Sequence, residues 1–301
     1  MDMPNEHQRR WVAQKTPTAA DHEMVKLLKT NLQSSIDVGI QVLAEVSRRF
    51  AANDNDFAEF CENVDRFAGI ARALTRFAHS AKVFCDWNVA PVPEFTDHFI
   101  NQYFLWPEYK RTFWLEGAVF CALAMKRGGR YLELCCGGGF YSDMFYASIA
   151  KELVAVDFDP RAIELARRDH QRENIRFEIA DIRTSLPDGP FDGVIWDAAI
   201  EHFSASEIAT VMTEIKRRLV PGGLLSGYTI AESGDGVQHP DHELEFKGMS
   251  DLAAHLKPYF KNVLVFESIH TTIAPPRHNL FFFAGDGVLP FDTDWPHSRR
   301  F

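Results

Sequence analysis

Apolar residues recur at steps of three and four along two proline-free segments, strictly alternating in the second, separated by the polar stretch Ala52-Asn53-Asp54-Asn55-Asp56. Val25, Leu28, Leu32, Ile36, Ile40, Leu43, Val46 and Phe50 form one stripe, and Phe57, Phe60, Val64, Phe67, Ala71, Leu74, Ala78, Ala81 and Cys85 the other. That period predicts two long helices, and the narrow seam predicts that they pack on each other as an antiparallel hairpin over residues 21–85. Three uses are open to such a hairpin: packing on the next domain, a homodimer contact, or a lid over a substrate pocket.

Beyond Pro91 and Pro93 the pattern changes. An aromatic-rich segment from Phe95 to Trp114 leads into a helix ending near Gly129, and short β-type runs then follow one another. They lie at Tyr131–Cys135, Leu153–Asp157, Ile175–Ala180, Gly193–Asp197, Leu224–Ile230, Asn262–Ile269 and Asn279–Ala284, with helical stretches such as Pro160–His170 and Ala205–Leu219 between them. Such alternation predicts an α/β fold with a doubly wound, mostly parallel sheet of seven strands, its ligand crevice beyond the carboxyl ends of the strands. The last two runs have no helix between them and are expected to pair antiparallel. The chain thus reads as a helical region, 1–94, and an α/β domain, 95–301.

Composition narrows the function. An apolar content of 46% supports a buried core, and a formal charge of -10 gives no basic face for nucleic-acid phosphates. No apolar run approaches the roughly eighteen residues of a membrane span, and the N-terminus lacks the apolar core of a signal peptide, so a cytoplasmic protein is expected. Five scattered cysteines make no disulfide framework, and Cys135-Cys136 lacks partners at metal-ligand spacing.

The chemistry concentrates at the ends of the predicted strands. In LELCCGGGFYS, residues 132–142, an apolar run carrying Glu133 enters three glycines and then a helix, where backbone can approach a ligand and helix N–H groups are unpaired. LVAVDFDP places Asp157 at the end of the second run, where a carboxylate can accept from both hydroxyls of a ribose. FEIADIRTSLP puts Asp181 and Ile182 just past the third, suited to an adenine amino group and ring. FDGVIWDAAIEHF and LVPGGLLSGY complete the set with Asp197 and Tyr228.

Together these motifs resemble a class I S-adenosylmethionine-dependent methyltransferase of the small-molecule type over residues 110–285. The family's glycine motif is met at Glu133, Gly137 and Gly139, while Cys135 stands where its first glycine is usual. The resemblance implies S-adenosylmethionine as cofactor, with Asp157 on the ribose and Phe158 flanking the adenine. It also implies that Asp181 accepts from the adenine amino group, that Ile182 makes a backbone contact, and that Asp197 lies beside the methionine portion. Arg111 is the expected partner of the cofactor carboxylate.

Methyl transfer needs a base only when the acceptor is protonated. Glu201 and His202, one turn past Asp197, are the candidates, although an acid followed by His at a helix start also serves as a simple cap. Tyr228 and His242 are expected to line the acceptor pocket. His239, His242, Glu243 and Asp197 offer an alternative set for a divalent cation, but two histidines three apart in a polar loop are ordinarily solvated, so no metal is expected. The expected function is methylation of oxygen, nitrogen or carbon on a small molecule such as a sugar or secondary metabolite. A non-catalytic binding protein of the same fold is the alternative, motivated by Cys135. An NAD-dependent oxidoreductase fits less well, because the glycine spacing and Pro221-Gly222-Gly223 depart from its pattern.

Overall fold

A computed structural model of the protein describes residues 19–52, 57–84, 112–232, 242–271, 276–291 and 298–300. The chain divides into two compact units, residues 1–93 and 94–301.

The first unit holds helices α1 (Ala19–Ala52) and α2 (Phe57–Phe84). They run antiparallel: Gly39 faces Leu74, and Val42 and Arg49 meet Ile70 and Asn63 in one shared groove. The seam differs from the expected stripes. Val25, Ile36, Ile40, Leu43, Val64 and Phe67 are exposed, whereas Gly39 and Asn63 are buried. Gly39 explains the shift, since a Cβ there would meet the Leu74 side chain at 2.9 Å, so the absence of a side chain sets how closely the helices approach.

In the second unit an eight-stranded sheet has the order β3-β2-β1-β4-β5-β7-β6-β8. The strands are β1 (Arg130–Leu134), β2 (Glu152–Asp157), β3 (Ile175–Ile179), β4 (Phe191–Asp197), β5 (Leu219–Ile230), β6 (Asn262–His270), β7 (Arg277–Gly285) and β8 (Ser298–Arg300). The first five pair parallel, and β7 lies antiparallel between β5 and β6. The expected seven strands are therefore present with the expected terminal antiparallel pair, and short β8 adds an edge against β6.

Helices cover both faces. α5 (Ala205–Arg218) and α6 (Met249–Leu256) pack Ile208, Val211, Met212 and Leu252 against Leu132, Leu134, Val154, Val156, Val194 and Trp196. α3 (Phe113–Ala124) and α4 (Pro160–Asp169) pack Ala118, Cys121, Ile163 and Ala166 against Tyr131, Leu153, Ala155 and Ile195. An aromatic group, Phe266, Phe281 and Phe283 with Phe120 against it, fills the corner between α3 and the antiparallel strands. Strands buried on both sides need continuous apolar runs, as at Leu153–Val156 of β2 and Val194–Trp196 of β4, whereas edge strand β3 alternates with Arg176 and Glu178.

Two local boundaries differ from the sequence pattern. β5 starts at Leu219 and carries an irregular stretch at Pro221-Gly222-Gly223, exposed at Pro221 and Gly222 and buried at Gly223, in which Gly222 takes φ 77°. The segment after the glycine turn is wound as a π-helix, Ser142–Tyr146. Among the described residues no helix is long and apolar enough to cross a membrane.

Candidate active site

The side-chain period of a strand is two, so residues of like register share a face. On β2, β1 and β4, which lie side by side, this rule turns Asp157, Glu133 and Asp197 toward the face covered by α3 and α4, with Leu153, Tyr131 and Ile195. All three carboxylates are buried. Strand order reverses between β1 and β4, and an open α/β sheet has its crevice at such a reversal.

The glycine turn is built against the end of β2. Cys136 N–H donates to the Val156 carbonyl at 2.9 Å, Gly137 N–H to Asp157 Oδ2 at 3.0 Å, and Asp159 N–H to Asp157 Oδ1 at 2.9 Å. Asp157 therefore fixes the turn, while each of its oxygens keeps capacity for a further donor. Burial is the leading influence on its carboxyl and raises it above the usual range despite these donors. Gly139 has φ 81°, and a Cβ on it would press on Phe177 and Ala166, so this glycine allows the turn to sit on α4 and β3.

Cys135 takes φ 57°. That left-handed backbone is the physical reason a glycine suits the position, and the chain accepts a thiol there. Burial holds the thiols of both Cys135 and Cys136 well above their ordinary range, so neither is a ready thiolate nucleophile.

Asp197 is the most unusual group. Its Oδ2 accepts weakly from the Tyr146 hydroxyl at 3.5 Å, and its buried Oδ1 has no hydrogen-bond partner among the described residues. Burial, reinforced by the charge of Glu201, pushes its carboxyl up to about 8. Glu133 is likewise pushed up to about 8 by burial, opposed by the hydroxyl of Ser142, which donates to it, and reinforced by Asp197 and Asp157.

Of the three residues expected beside an adenine, Phe158 and Asp181 reach solvent and Ile182 does not. Phe158 leaves 49% of its surface in water, an unusual placement for a ring beside a buried crevice. Asp181 is held by Arg183, whose Nε and terminal nitrogen each reach a different carboxylate oxygen at 2.8 Å, and that contact lowers its carboxyl below the usual range. The Ile182 side chain is buried in the core.

Glu201 and His202 form a 3-10 turn, Ile200–His202, ahead of α5. They do not cap that helix: Ser204 does, in a reciprocal capping box with Glu207. Glu201 is buried and its Oε2 accepts from Thr229 Oγ1 at 2.9 Å, while the ring of His202 meets that of His242 edge to face, with centroids 4.9 Å apart. Tyr228 is buried, its hydroxyl receiving a hydrogen bond from Arg277 at 2.6 Å and lying 3.3 Å from Asn279 Oδ1, and burial pushes it up to about 12. It belongs to the aromatic corner with Phe281. Arg111, His239 and the aromatic residues from Phe99 to Tyr109 lie outside the described residues.

Several residues at this edge escaped the sequence pattern. Tyr146 reaches Asp197 through the π-helix, and Tyr141 is half-buried, its hydroxyl raised by burial and then by the charge of Asp197. Glu116 on α3 accepts from Ser268 Oγ and Thr112 Oγ1 at 2.6 Å and faces His270. Burial alone would raise Glu116, but these contacts outweigh it and lower the carboxyl. The available signal was the pair Tyr141 and Tyr146 in the segment after the glycines.

Residues 132–223 match the family model of a methyltransferase domain. Over 126 residues, 41% of this chain, it is 29% identical to ribosomal protein L11 methyltransferase of Burkholderia lata, and covers 38% of that protein. It is 32% identical over 134 residues to a probable S-adenosylmethionine-dependent methyltransferase of Mycolicibacterium smegmatis, covering 42% of this chain and 50% of that one. The chain thus spans half or less of these relatives' own lengths. Among solved structures, Haemonchus contortus Phospholethanolamine N-methyltransferase 2 shares the fold, with a TM-score of 0.50 and 14% identity over 68% of this chain and 67% of that one.

Proposed function

We propose, on the premise that this chain carries a class I methyltransferase domain, that it is an enzyme moving the methyl group of S-adenosylmethionine to a small-molecule acceptor. The observation that carries the reading is the buried, unsatisfied Oδ1 of Asp197 at the reversal of strand order. A buried polar atom without a partner is costly, and a cationic ligand group such as the amino-acid ammonium of the cofactor would satisfy it.

The other residues fit the same ligand. Asp157 would take the ribose hydroxyls on its remaining lone pairs, exposed Phe158 would cover the adenine, and Asp181 would share an oxygen with the adenine amino group while keeping Arg183. Ile182 would contribute its backbone, and Arg111 is assigned to the cofactor carboxylate. When bound, the cofactor supplies an electrophilic methyl group on a sulfonium.

The chain's own contribution is positioning, exclusion of water and handling of the acceptor's proton. His202, half-buried beside buried Glu201, is the proposed base, since a histidine at this edge is the side chain placed to accept an acceptor's proton. Tyr228 and His242 would bound the acceptor pocket, and action in the cytoplasm goes with this reading. The relatives include a protein named for a ribosomal-protein acceptor, but the shared segment covers 38% of that protein, so it carries no argument about the acceptor here.

Calorimetric titration with S-adenosylmethionine, S-adenosylhomocysteine and NAD tests the cofactor. Micromolar binding of both sulfur nucleotides, weakened in Asp157→Ala and absent for NAD, is expected; no binding of either overturns the reading. Binding without methyl transfer across a panel of hydroxyl, amine and carbon acceptors would favour the non-catalytic alternative.

A further inference from the structure

We propose that Glu201, His202 and His242 form a binding site for a divalent first-row transition-metal ion of the Zn2+ class, with Glu245 as the positioning residue behind His242. The ligand atoms of the three side chains all lie within 4.8 Å of one another. An ion holding its ligands at about 2.0–2.2 Å would draw them together, a movement within reach of side-chain rotation.

The backbone around the cluster is fixed from two sides. Glu243 N–H and Leu244 N–H both donate to the Glu201 carbonyl, at 2.9 and 3.0 Å, which ties the segment carrying His242 to the turn carrying Glu201 and His202. At its other end the same segment is pinned to the end of β5, where Glu232 N–H donates to the Phe246 carbonyl at 2.8 Å and Ala231 bridges to Phe246. Residues remote in sequence are thereby held as a preformed donor set.

The outer contacts are those that a metal site needs. His242 Nδ1 lies 2.6 Å from Glu245 Oε1, and the two side chains are 7% and 0% exposed. A carboxylate beside Nδ1 orients the ring, and Nε2 is the nitrogen assigned to the ion. Thr229 Oγ1 orients Glu201 from its other side. Glu201 and Glu245 are both buried carboxylates, a charge arrangement that a dication would offset.

Donor chemistry selects the ion. Two imidazoles and one carboxylate suit zinc and its first-row neighbours, whereas magnesium and calcium prefer oxygen alone. Three protein ligands also leave a coordination position open, the arrangement of reactive rather than structural zinc sites. The set differs from the one drawn from sequence: Glu243 contributes its backbone N–H, His239 lies outside the described residues, and Asp197 belongs to the neighbouring carboxylate group.

The ion site stands on these side chains alone. Its role, binding an acceptor hydroxyl and lowering its pKa, rests on the methyl-transfer reading and takes the place of His202 as base, because an imidazole bound to an ion has no lone pair left for a proton. The full chain, stripped with chelator, is titrated with Zn2+ against a competing chelator and with Co2+ followed by visible absorption. One ion per chain and low-symmetry cobalt bands are expected. His202→Ala and His242→Ala should each weaken binding at least 100-fold, and Glu245→Gln about 10- to 100-fold. His202 and His242 are both half-buried, so His202→Gln, closer in size to the parent, replaces an alanine variant that does not fold; circular dichroism verifies the fold of each variant. Weak, non-stoichiometric uptake, or equal affinity in the wild type and a folded His202→Ala, overturns the site. Cobalt binding without nucleotide binding would leave the site standing and remove the methyltransferase reading; nucleotide binding without cobalt binding would do the reverse.

Discussion

Cys135 and Ala198 both hold left-handed backbone, φ 57° and 52°, at the carboxyl ends of the neighbouring parallel strands β1 and β4. Strained angles in residues that carry a Cβ cluster where a ligand must approach the backbone, and here they flank the reversal of strand order. Left-handed φ costs a non-glycine residue about 1–2 kcal/mol. Cys135→Gly relieves that strain but adds about 0.5–1 kcal/mol of chain entropy to lose on folding and gives up the thiol's packing, so its stability stays within about 1 kcal/mol of the parent. Cys135→Val, β-branched at the same φ, is expected to lose at least about 2 kcal/mol. Urea unfolding measures both; equal stability of the two variants would refute the strain.

Asp197 and Glu133 make the ligand-free protein sensitive to pH. Both carboxyls are pushed up to about 8, against about 4 in the unfolded chain, so between those values the folded state holds more protons than the unfolded state. Their contribution to stability is complete below about pH 4 and is lost as pH rises through about 8. Thermal unfolding of the ligand-free protein should therefore fall in temperature from about pH 6 to about pH 8, and Asp197→Asn should flatten that fall.

A second consequence follows for binding. At pH 7 the Asp197 carboxyl is mostly protonated, and an ammonium group placed beside it favours the carboxylate. Binding of S-adenosylhomocysteine at pH 7 should release about one proton. Calorimetry in buffers of different ionisation enthalpy reads this directly. Release that persists undiminished in Asp197→Asn would place the proton elsewhere.

The three buried carboxylates were legible in the sequence because strand parity is strict: Glu133, Asp157 and Asp197 each fall in register with an apolar neighbour two residues before, and the glycine turn fixes which ends meet. Tyr146 was hidden because its path to Asp197 depends on π winding, which shifts the face that α-helical spacing would assign. The pairing of His242 with Glu245 and the junction of Glu243 and Leu244 with the Glu201 carbonyl were hidden for another reason. They come from a loop folding back across the sheet end, and no local period encodes such a contact. In the hairpin, periodicity located the helices, but the true seam turned on Gly39, where a missing side chain rather than an apolar one decides the packing.

Asp157 fixes the glycine turn and is proposed to hold the ribose, and substitutions separate the two roles. Asp157→Ala removes the acceptor for Gly137 N–H and Asp159 N–H as well as any ribose contact, whereas Asp157→Asn keeps one oxygen. Hydrogen bonds to a charged group contribute about 1.5–3 kcal/mol each, so the alanine variant should lose at least about 10-fold in S-adenosylhomocysteine affinity. The asparagine variant should fall between it and the parent. Fluorescence or calorimetric titration at constant salt decides, and an unchanged affinity in Asp157→Ala would remove this residue from the cofactor site.

Gly117 offers a test of how the site depends on helix packing. It is buried in α3, and a Cβ there would run into Asp197 Oδ1 and lie 2.9 Å from Tyr228 Cβ. In an exposed helix, glycine to alanine stabilises by roughly 0.5–1 kcal/mol. At Gly117 that gain is opposed by overpacking of about 1–3 kcal/mol, because neither the strand residue nor the buried carboxyl has room to retreat. Gly117→Ala should therefore be neutral to destabilising, and it should weaken S-adenosylhomocysteine binding by displacing Oδ1. Gly69→Ala in α2 is the matched control: nothing lies within 4 Å of its new Cβ, so it should raise the unfolding free energy by the full propensity difference. If both substitutions stabilise alike and nucleotide affinity is unchanged in Gly117→Ala, the close approach of α3 to Asp197 has no part in shaping the site.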